Sequence, residues 1–171
     1  DTDTIYQLVF DEAAIVDIND NKYKQTTDYQ FTTIDTILPT FATLSPADDA
    51  TEIAVASDIT VTFSEAIKVG TGNITLKTSD GTVVSTYDAA TSSNLAISDK
   101  TLTIDPDSDL STDTTYQVVF DEGSITDLNG NKYDQSGDYQ FTTIDTIAPI
   151  VVTLSPADDA TEIAVASDIT I

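Results

Sequence analysis

The sequence contains no cysteine, histidine, methionine, tryptophan or arginine. Without cysteine, the chain has no disulfide and no thiolate for catalysis or for zinc. Without histidine, it lacks the usual general base near neutral pH and the most common transition-metal ligand. Catalysis of the Ser/His/Asp and Cys/His types is therefore excluded, and the sequence predicts a protein that is not an enzyme.

Positive charge is also scarce, because six lysines stand against 30 acidic residues and leave a net charge of −24. Binding to nucleic-acid phosphates needs clustered cations, so we expect no nucleic acid among the partners. An anionic membrane surface is disfavoured for the same reason, and no apolar run is long enough to insert into a bilayer. The acidic excess suits solubility, general solvation or the binding of hard cations such as calcium.

One long stretch of the sequence is written twice. SPADDATEIAVASDIT occurs at residues 45–60 and again, unchanged, at residues 155–170. A shift of 110 positions aligns residues 1–61 with residues 111–171 without a gap, and 45 of the 61 aligned positions are identical. A period of this length is too long for a solenoid repeat and fits one small autonomous domain.

The period divides the chain into three parts. We expect the C-terminal part of one repeat in residues 1–36 and a complete repeat in residues 37–146. Residues 147–171 are then the N-terminal part of the next repeat. The chain therefore holds about one and a half copies of a unit of domain size.

Apolar and polar residues alternate with a period of two, which is typical of half-buried strands. The segments that this pattern predicts as strands are FATL at 41–44, DITVTF at 58–63, NITLKT at 73–78, VVSTYD at 83–88, NLAIS at 94–98, TLTID at 101–105, TYQVVF at 115–120 and DYQFTTI at 138–144. Turn signals such as SDG, SDK and NGN separate these segments. The predicted fold class is all-β, with tandem immunoglobulin-like β-sandwiches of about 110 residues each.

Five motifs, taken in order, resemble a known family. They are SPADDATEIAVASDITVTFSEAI, GTGNITL, TLTIDPDSDLSTDTTYQVVF, ITDLNGNKY and YQFTTID, and together they are similar to the bacterial Ig-like repeat module of surface-layer proteins and giant adhesins. The resemblance implies a non-catalytic extender at the extracellular cell surface, often dependent on calcium, in an adhesin stalk or a surface filament. Its partners are then neighbouring repeats of the same chain and, in a filament or lattice, identical chains. A carbohydrate- or protein-binding Ig-like module and a surface-layer lattice protein are the alternatives.

The acidic residues concentrate in loops. DPDSD places Asp105 and Asp107 two positions apart, and Asp127 opens a similar pattern in DLNGN. Alternate oxygen ligands at this spacing converge on calcium in known sites. A true EF-hand is excluded, because Lys132 stands where that loop requires glycine. The alternative for DLNGN is an Asx-type turn in which the Asp127 carboxylate accepts hydrogen bonds from nearby amides.

The topology of an immunoglobulin-like sandwich brings these loops together at the junction of two repeats. The loops SEAIKVGTG and DEGSITDLNGNKYDQSGD are expected at the end that faces the preceding repeat, and SPADDAT and DPDSDLSTD at the end that faces the next. The connectors IDTILP and IDTIAP, with Pro39 and Pro149, pass between these ends. We predict that calcium binds carboxylates there and stiffens the joint. The candidate ligands are Asp35, Asp48, Asp49, Glu65, Asp105, Asp107, Asp121, Glu122, Asp127 and Asp145.

Overall fold

The computed structural model describes residues 2–134 and 137–171. All regular structure within these residues is β-strand, and none of them forms a helix long and apolar enough to cross a membrane. The strands are β1 (Ile5–Leu8), β2 (Tyr29–Thr32), β3 (Phe41–Ser45), β4 (Ala50–Ile53), β5 (Ile59–Phe63), β6 (Ile67–Val69), β7 (Asn73–Thr78), β8 (Val83–Asp88), β9 (Leu95–Ser98), β10 (Thr101–Ile104), β11 (Thr115–Phe120), β12 (Ile125–Asp127) and β13 (Tyr139–Thr143). The all-β class expected from the alternating pattern is thus confirmed.

Two sheets form a β-sandwich. One has the strand order β3–β5–β10–β9, and the other has the order β4–β13–β11–β7–β8. The pairing of β4 with β13 is parallel, and the other pairings in the two sheets are antiparallel. The chain crosses from one sheet to the other between β3 and β4. β3 and β4 together form the first strand of an immunoglobulin-like sandwich, and this strand is therefore divided between the two sheets.

The core lies between the two sheets, because the strands of both bury alternate residues. β5, β11 and β13 each bury every second side chain. The largest fully buried side chains are Tyr116, Tyr139, Phe63, Phe141, Ile59, Ile74, Leu76, Leu102, Ile104 and Ile125. Aromatic rings close one part of this core, where the ring of Phe41 stacks on that of Tyr133 at 4.7 Å between centroids. Apolar packing thus replaces the disulfide and tryptophan of antibody domains.

A tyrosine hydroxyl fixes the turn that precedes β11. The Tyr116 side chain is 2% exposed, and its hydroxyl oxygen accepts a hydrogen bond from the backbone N–H of Ser111 at 2.8 Å. Such a bond from the start of this strand to the backbone just upstream is the tyrosine corner of immunoglobulin-like sandwiches. The buried position expected for Tyr116 from the sequence is confirmed.

The segment SPADDAT is not the loop at the far end that the sequence predicted. It forms the crossover from β3 to β4 and lies against the beginning of β13. There the backbone N–H of Gln140 donates to Asp48 Oδ1 at 3.0 Å, and Gln140 Nε2 donates to Asp49 Oδ1 at 2.8 Å. The prediction failed because the alternating pattern did not reveal the short strand β4, whose residues Ala50–Ile53 carry an apolar side chain only at each end.

The segments before and after the sandwich repeat sequences that occur within it, but their apolar side chains are exposed. β1 pairs with β2 in the register that β11 and β13 adopt, so that Tyr6 faces Phe31 as Tyr116 faces Phe141. Phe31 is 52% exposed, whereas Phe141 is 1% exposed. Within residues 147–171 the structure forms an isolated bridge between Ser155 and Thr170 and no strand.

Candidate metal centre at the connector

Three carboxylates from distant parts of the chain meet where the connector reaches the sandwich. Asp35 lies in the connector between β2 and β3, Glu65 lies between β5 and β6, and Asp127 is the last residue of β12. One carboxylate oxygen of each residue lies within 4.8 Å of those of the other two. Among the residues that the structure describes, no other three acidic side chains approach one another in this way.

Asp127 is held by its own loop. Its side chain is 1% exposed, and Oδ1 accepts hydrogen bonds from the backbone N–H groups of Gly130 at 2.6 Å and Asn131 at 2.8 Å. Oδ2 accepts a further bond from Asn131 Nδ2 at 2.8 Å. Gly130 has φ of 96°, which a glycine adopts without steric cost. The Asx-type turn expected for DLNGN is confirmed. It holds the Asp127 carboxylate where the connector reaches the sandwich.

Asp35 attaches the connector to the loop that follows Asp127. Its Oδ1 accepts a hydrogen bond from the backbone N–H of Ile37 at 2.9 Å, and its Oδ2 accepts one from Asn129 Nδ2 at 2.9 Å. Asn131 Nδ2 also donates to the Asp35 backbone carbonyl at 3.3 Å. These bonds, first that from Ile37 and then that from Asn129, hold the pKa of Asp35 below its ordinary value.

Glu65 is the member of the group whose pKa is raised, although the positive charge of Lys100 acts to lower it. Its partly buried side chain has no hydrogen bond or ion pair with the residues that the structure describes. Loss of hydration on burial raises its pKa, and the charges of Asp127 and Asp35 raise it further. A cation placed among the three carboxylates would relieve this repulsion.

The sequence analysis did not identify the role that the side-chain amides of Asn129 and Asn131 have at this site. Both bind Asp35, one through its carboxylate and the other through its carbonyl. The signal was present in the sequence, because DLNGN and the earlier DINDN keep an asparagine at the same two positions. The contact itself joins residues 94 positions apart, which the local pattern does not show.

Two further candidates at the same end of the sandwich have partners of their own. Asp121 Oδ2 accepts hydrogen bonds from the backbone N–H of Asn73 at 2.9 Å and from Asn73 Nδ2 at 3.2 Å. Glu122 forms an exposed ion pair with Lys132 at 3.2 Å. Neither carboxylate belongs to the group of three.

The remaining candidates lie elsewhere. Asp48 and Asp49 bind Gln140 at the crossover described above. Asp105 and Asp107 are exposed in the loop after β10, where Asn94 Nδ2 donates to Asp107 Oδ1 at 2.9 Å.

Asp145 lies in the connector that follows β13. Its Oδ1 accepts from the backbone N–H of Ile147 at 2.8 Å, which is the turn that Asp35 makes with Ile37. Asp145 belongs to no cluster of three carboxylates in the described part of the chain.

The family model for the bacterial Ig-like domain matches residues 35–143. The chain belongs to this family. The resemblance seen in the sequence is therefore confirmed, and the matched range of the Ig-like domain begins at Asp35 and contains all three clustered carboxylates.

The Ig-like domain is also similar to a solved structure, that of CopC from Methylosinus trichosporium OB3b. The TM-score is 0.50 at 16% sequence identity, and the match covers 66% of this chain and 99% of the other. At this level of identity the likeness shows a common fold alone. No curated protein sequence matches the chain.

Proposed function

We propose that the chain is a segment of a structural extender, made of Ig-like repeats, in a large extracellular bacterial surface protein. In this proposal calcium binds Asp35, Glu65 and Asp127 and fixes each connector to the sandwich that follows it. The observation that carries the proposal is the approach of these three carboxylates to within 4.8 Å of one another.

Electrostatics favours a cation at this place. Two carboxylates about 4 Å apart repel each other by roughly 1–4 kcal/mol at the dielectrics of water or of a protein surface. The side chains of Asp127 and Asp35 are fixed by hydrogen bonds, so they do not move apart freely to relieve the repulsion. A divalent cation turns three repulsive pairs into three attractive contacts.

The donor atoms suit calcium. Every ligand is a carboxylate oxygen, and calcium takes six to eight oxygens at about 2.3–2.6 Å in flexible geometry. The amide of Asn129 lies at the same place and offers a further oxygen if it turns about its last side-chain bond. Zinc and copper prefer imidazole or thiolate, which the sequence lacks.

The consequence of binding is mechanical. Asp35 lies two residues before Ile37, and Pro39 restricts the backbone shortly after it. A cation shared by Asp35 and two loops of the sandwich restricts rotation about this connector. Residues 1–36 are then held in one orientation relative to residues 37–146, as a stiff stalk or filament requires.

The internal repeat supports a structure built from many such joints. The loop of Asp127 recurs at Asp17, whose carboxylate accepts from the backbone N–H and the side-chain amide of Asn21 as Asp127 does from Asn131. The connector aspartate recurs at Asp145. Under the proposed division into residues 1–36, 37–146 and 147–171, the loop aspartate and the connector aspartate each occur twice, 110 positions apart. A spacer needs only to be copied, whereas a binding or catalytic module usually diversifies its loops.

Calorimetric titration of the chelator-treated protein with calcium tests the proposal. We expect one binding site in the wild-type chain and none in Glu65→Gln. Asp145→Asn is the matched control, because it removes a carboxylate with the same connector turn but no cluster, and it should bind as the wild type does. Absence of binding in the wild type, or equal binding in Glu65→Gln, would refute the calcium site.

A further inference from the structure

The segment that carries Glu65 is held by the turn between β9 and β10. Glu65 lies between β5 and β6, and Asp99 and Lys100 form the two-residue turn that joins β9 to β10. The backbone N–H of Phe63 donates to the Lys100 carbonyl at 2.8 Å, and that of Ile67 donates to the Asp99 carbonyl at 3.0 Å. The chain is therefore attached to this turn on both sides of Glu65.

The side chain of Lys100 reaches the same segment. Its Nζ donates a hydrogen bond at 2.9 Å to the carbonyl of Ser64, the residue that directly precedes Glu65. Ser64 in turn contacts the connector, because its backbone N–H donates to the Thr40 carbonyl at 2.8 Å and its hydroxyl accepts from the Thr40 N–H at 3.1 Å. A positive charge is thus fixed where the connector and the segment of Glu65 meet.

This ammonium acts on the carboxylate cluster without belonging to it. It favours the ionised form of Glu65 and so opposes the effect that Asp127 and Asp35 have on the pKa of that residue. Lys100 is exposed, and its Nζ is bonded to a carbonyl and not to a carboxylate. The charge therefore offsets part of the repulsion among the three carboxylates and leaves their oxygens available to a cation.

We infer that Lys100 sets the calcium affinity of the cluster formed by Asp35, Glu65 and Asp127. In the metal-free protein its ammonium acts as the counter-charge of the cluster, and it repels a divalent ion that enters. Its effect on calcium rests on the proposed function, whereas its effect on the metal-free protein does not. The lysine thus stabilises the metal-free joint and weakens the binding of calcium.

Calorimetric titration of the chelator-treated 171-residue chain with calcium tests the effect on affinity. At physiological ionic strength, where distant surface charges are screened, Lys100→Gln should lower the dissociation constant by about two- to fivefold. Lys100→Arg keeps the charge and should bind as the wild type does. Lys77→Gln is the matched control, because it removes the same charge from β7 in the other sheet, and it should also bind as the wild type does.

Urea denaturation in excess chelator tests the effect on the metal-free protein. Lys100→Gln should unfold at a lower urea concentration than the wild type, because Glu65 loses its counter-charge. The loss of stability should be smaller when the substitution is made in Glu65→Gln, since the two charges no longer interact. If Lys100 acted only through its hydrogen bond to Ser64, the loss would be the same in both backgrounds.

The outcomes separate this inference from the proposed calcium site. Equal calcium affinity of the wild type and Lys100→Gln would overturn the inference and leave the site intact. An equal loss of stability in the two Glu65 backgrounds would also overturn it, as would tighter calcium binding by Lys77→Gln or Lys100→Arg. A wild-type chain that binds no calcium would overturn both proposals.

Discussion

Asn129 Nδ2 donates a hydrogen bond to Asp35 Oδ2 at 2.9 Å and thereby joins the connector to a loop 94 positions away. The bond places the connector carboxylate beside Asp127, although like charges repel. The connector is therefore attached to the sandwich by a neutral amide before any cation binds. A bound cation would add to an existing contact and would not have to create one.

Removal of the Glu65 charge should have opposite effects with and without calcium. In excess chelator, Glu65→Gln should melt at a higher temperature than the wild type, because it removes a desolvated carboxylate that two others repel. In saturating calcium the order should reverse, since only the wild type gains binding free energy in the folded state. Thermal melts followed by circular dichroism in the two buffers measure both differences. An unchanged order in the two buffers would contradict the account.

The metal-free protein should lose stability as the pH rises through the titration of Glu65. The folded-state pKa of Glu65 is raised above its ordinary value of 4.5, so between these two pKa values the folded state binds more protons than the unfolded state. In that window stability falls with rising pH. Asp35 acts in the opposite direction, because its pKa is lowered and its contribution is lost only in more acidic solution.

Chemical denaturation of the wild type and Glu65→Gln as a function of pH isolates the Glu65 contribution. The stability of the wild type relative to the variant should decline from acid to neutral pH in chelator. A difference that is constant over this range would mean that Glu65 does not sense the neighbouring charges.

Replacement of Asp127 should destabilise the sandwich, whereas replacement of its counterpart should not. Asp127→Ala leaves the backbone N–H groups of Gly130 and Asn131 without their acceptor in a loop where Asp127 itself is buried. The expected cost is about 1–3 kcal/mol in the free energy of unfolding. Asp17→Ala removes the bonds from the backbone N–H groups of Asn19 and Asn21 in an exposed loop and serves as the control. Equal effects of the two substitutions in urea denaturation would contradict this explanation.

The buried hydroxyl of Tyr139 should contribute to stability, because it donates to the Pro46 carbonyl at 2.8 Å. Tyr139→Phe should lower the free energy of unfolding by about 0.5–1.5 kcal/mol. Tyr29→Phe changes the exposed counterpart and should have no measurable effect. Urea denaturation of both variants measures the difference, and a loss of stability in Tyr29→Phe would show that this control is not neutral.

The strands of the sandwich were predictable because each long strand alternates buried and exposed residues, as β5 and β11 do. The strands β4, β6 and β12 were missed, since β6 and β12 have only three residues and the four residues of β4 do not alternate between apolar and polar side chains. Because β4 was not predicted, the sequence analysis also placed SPADDAT at the wrong end of the unit.

The prediction of the candidate site depended on topology. Once the loops containing Glu65 and Asp127 were placed at the end where the connector enters, Asp35 had to lie nearby. The hydrogen-bond and ion-pair partners of the other candidate carboxylates could not be predicted from the local sequence. Lys132 pairs with Glu122 and Asn73 binds Asp121 through contacts that only the folded chain creates.

The most direct measurement is anomalous X-ray diffraction from crystals of the chain grown with calcium. The account predicts one anomalous peak among the carboxylates of Asp35, Glu65 and Asp127, at about 2.3–2.6 Å from the ligating oxygens. Well-ordered density for the three side chains with no peak between them, or with calcium bound only elsewhere, would contradict it.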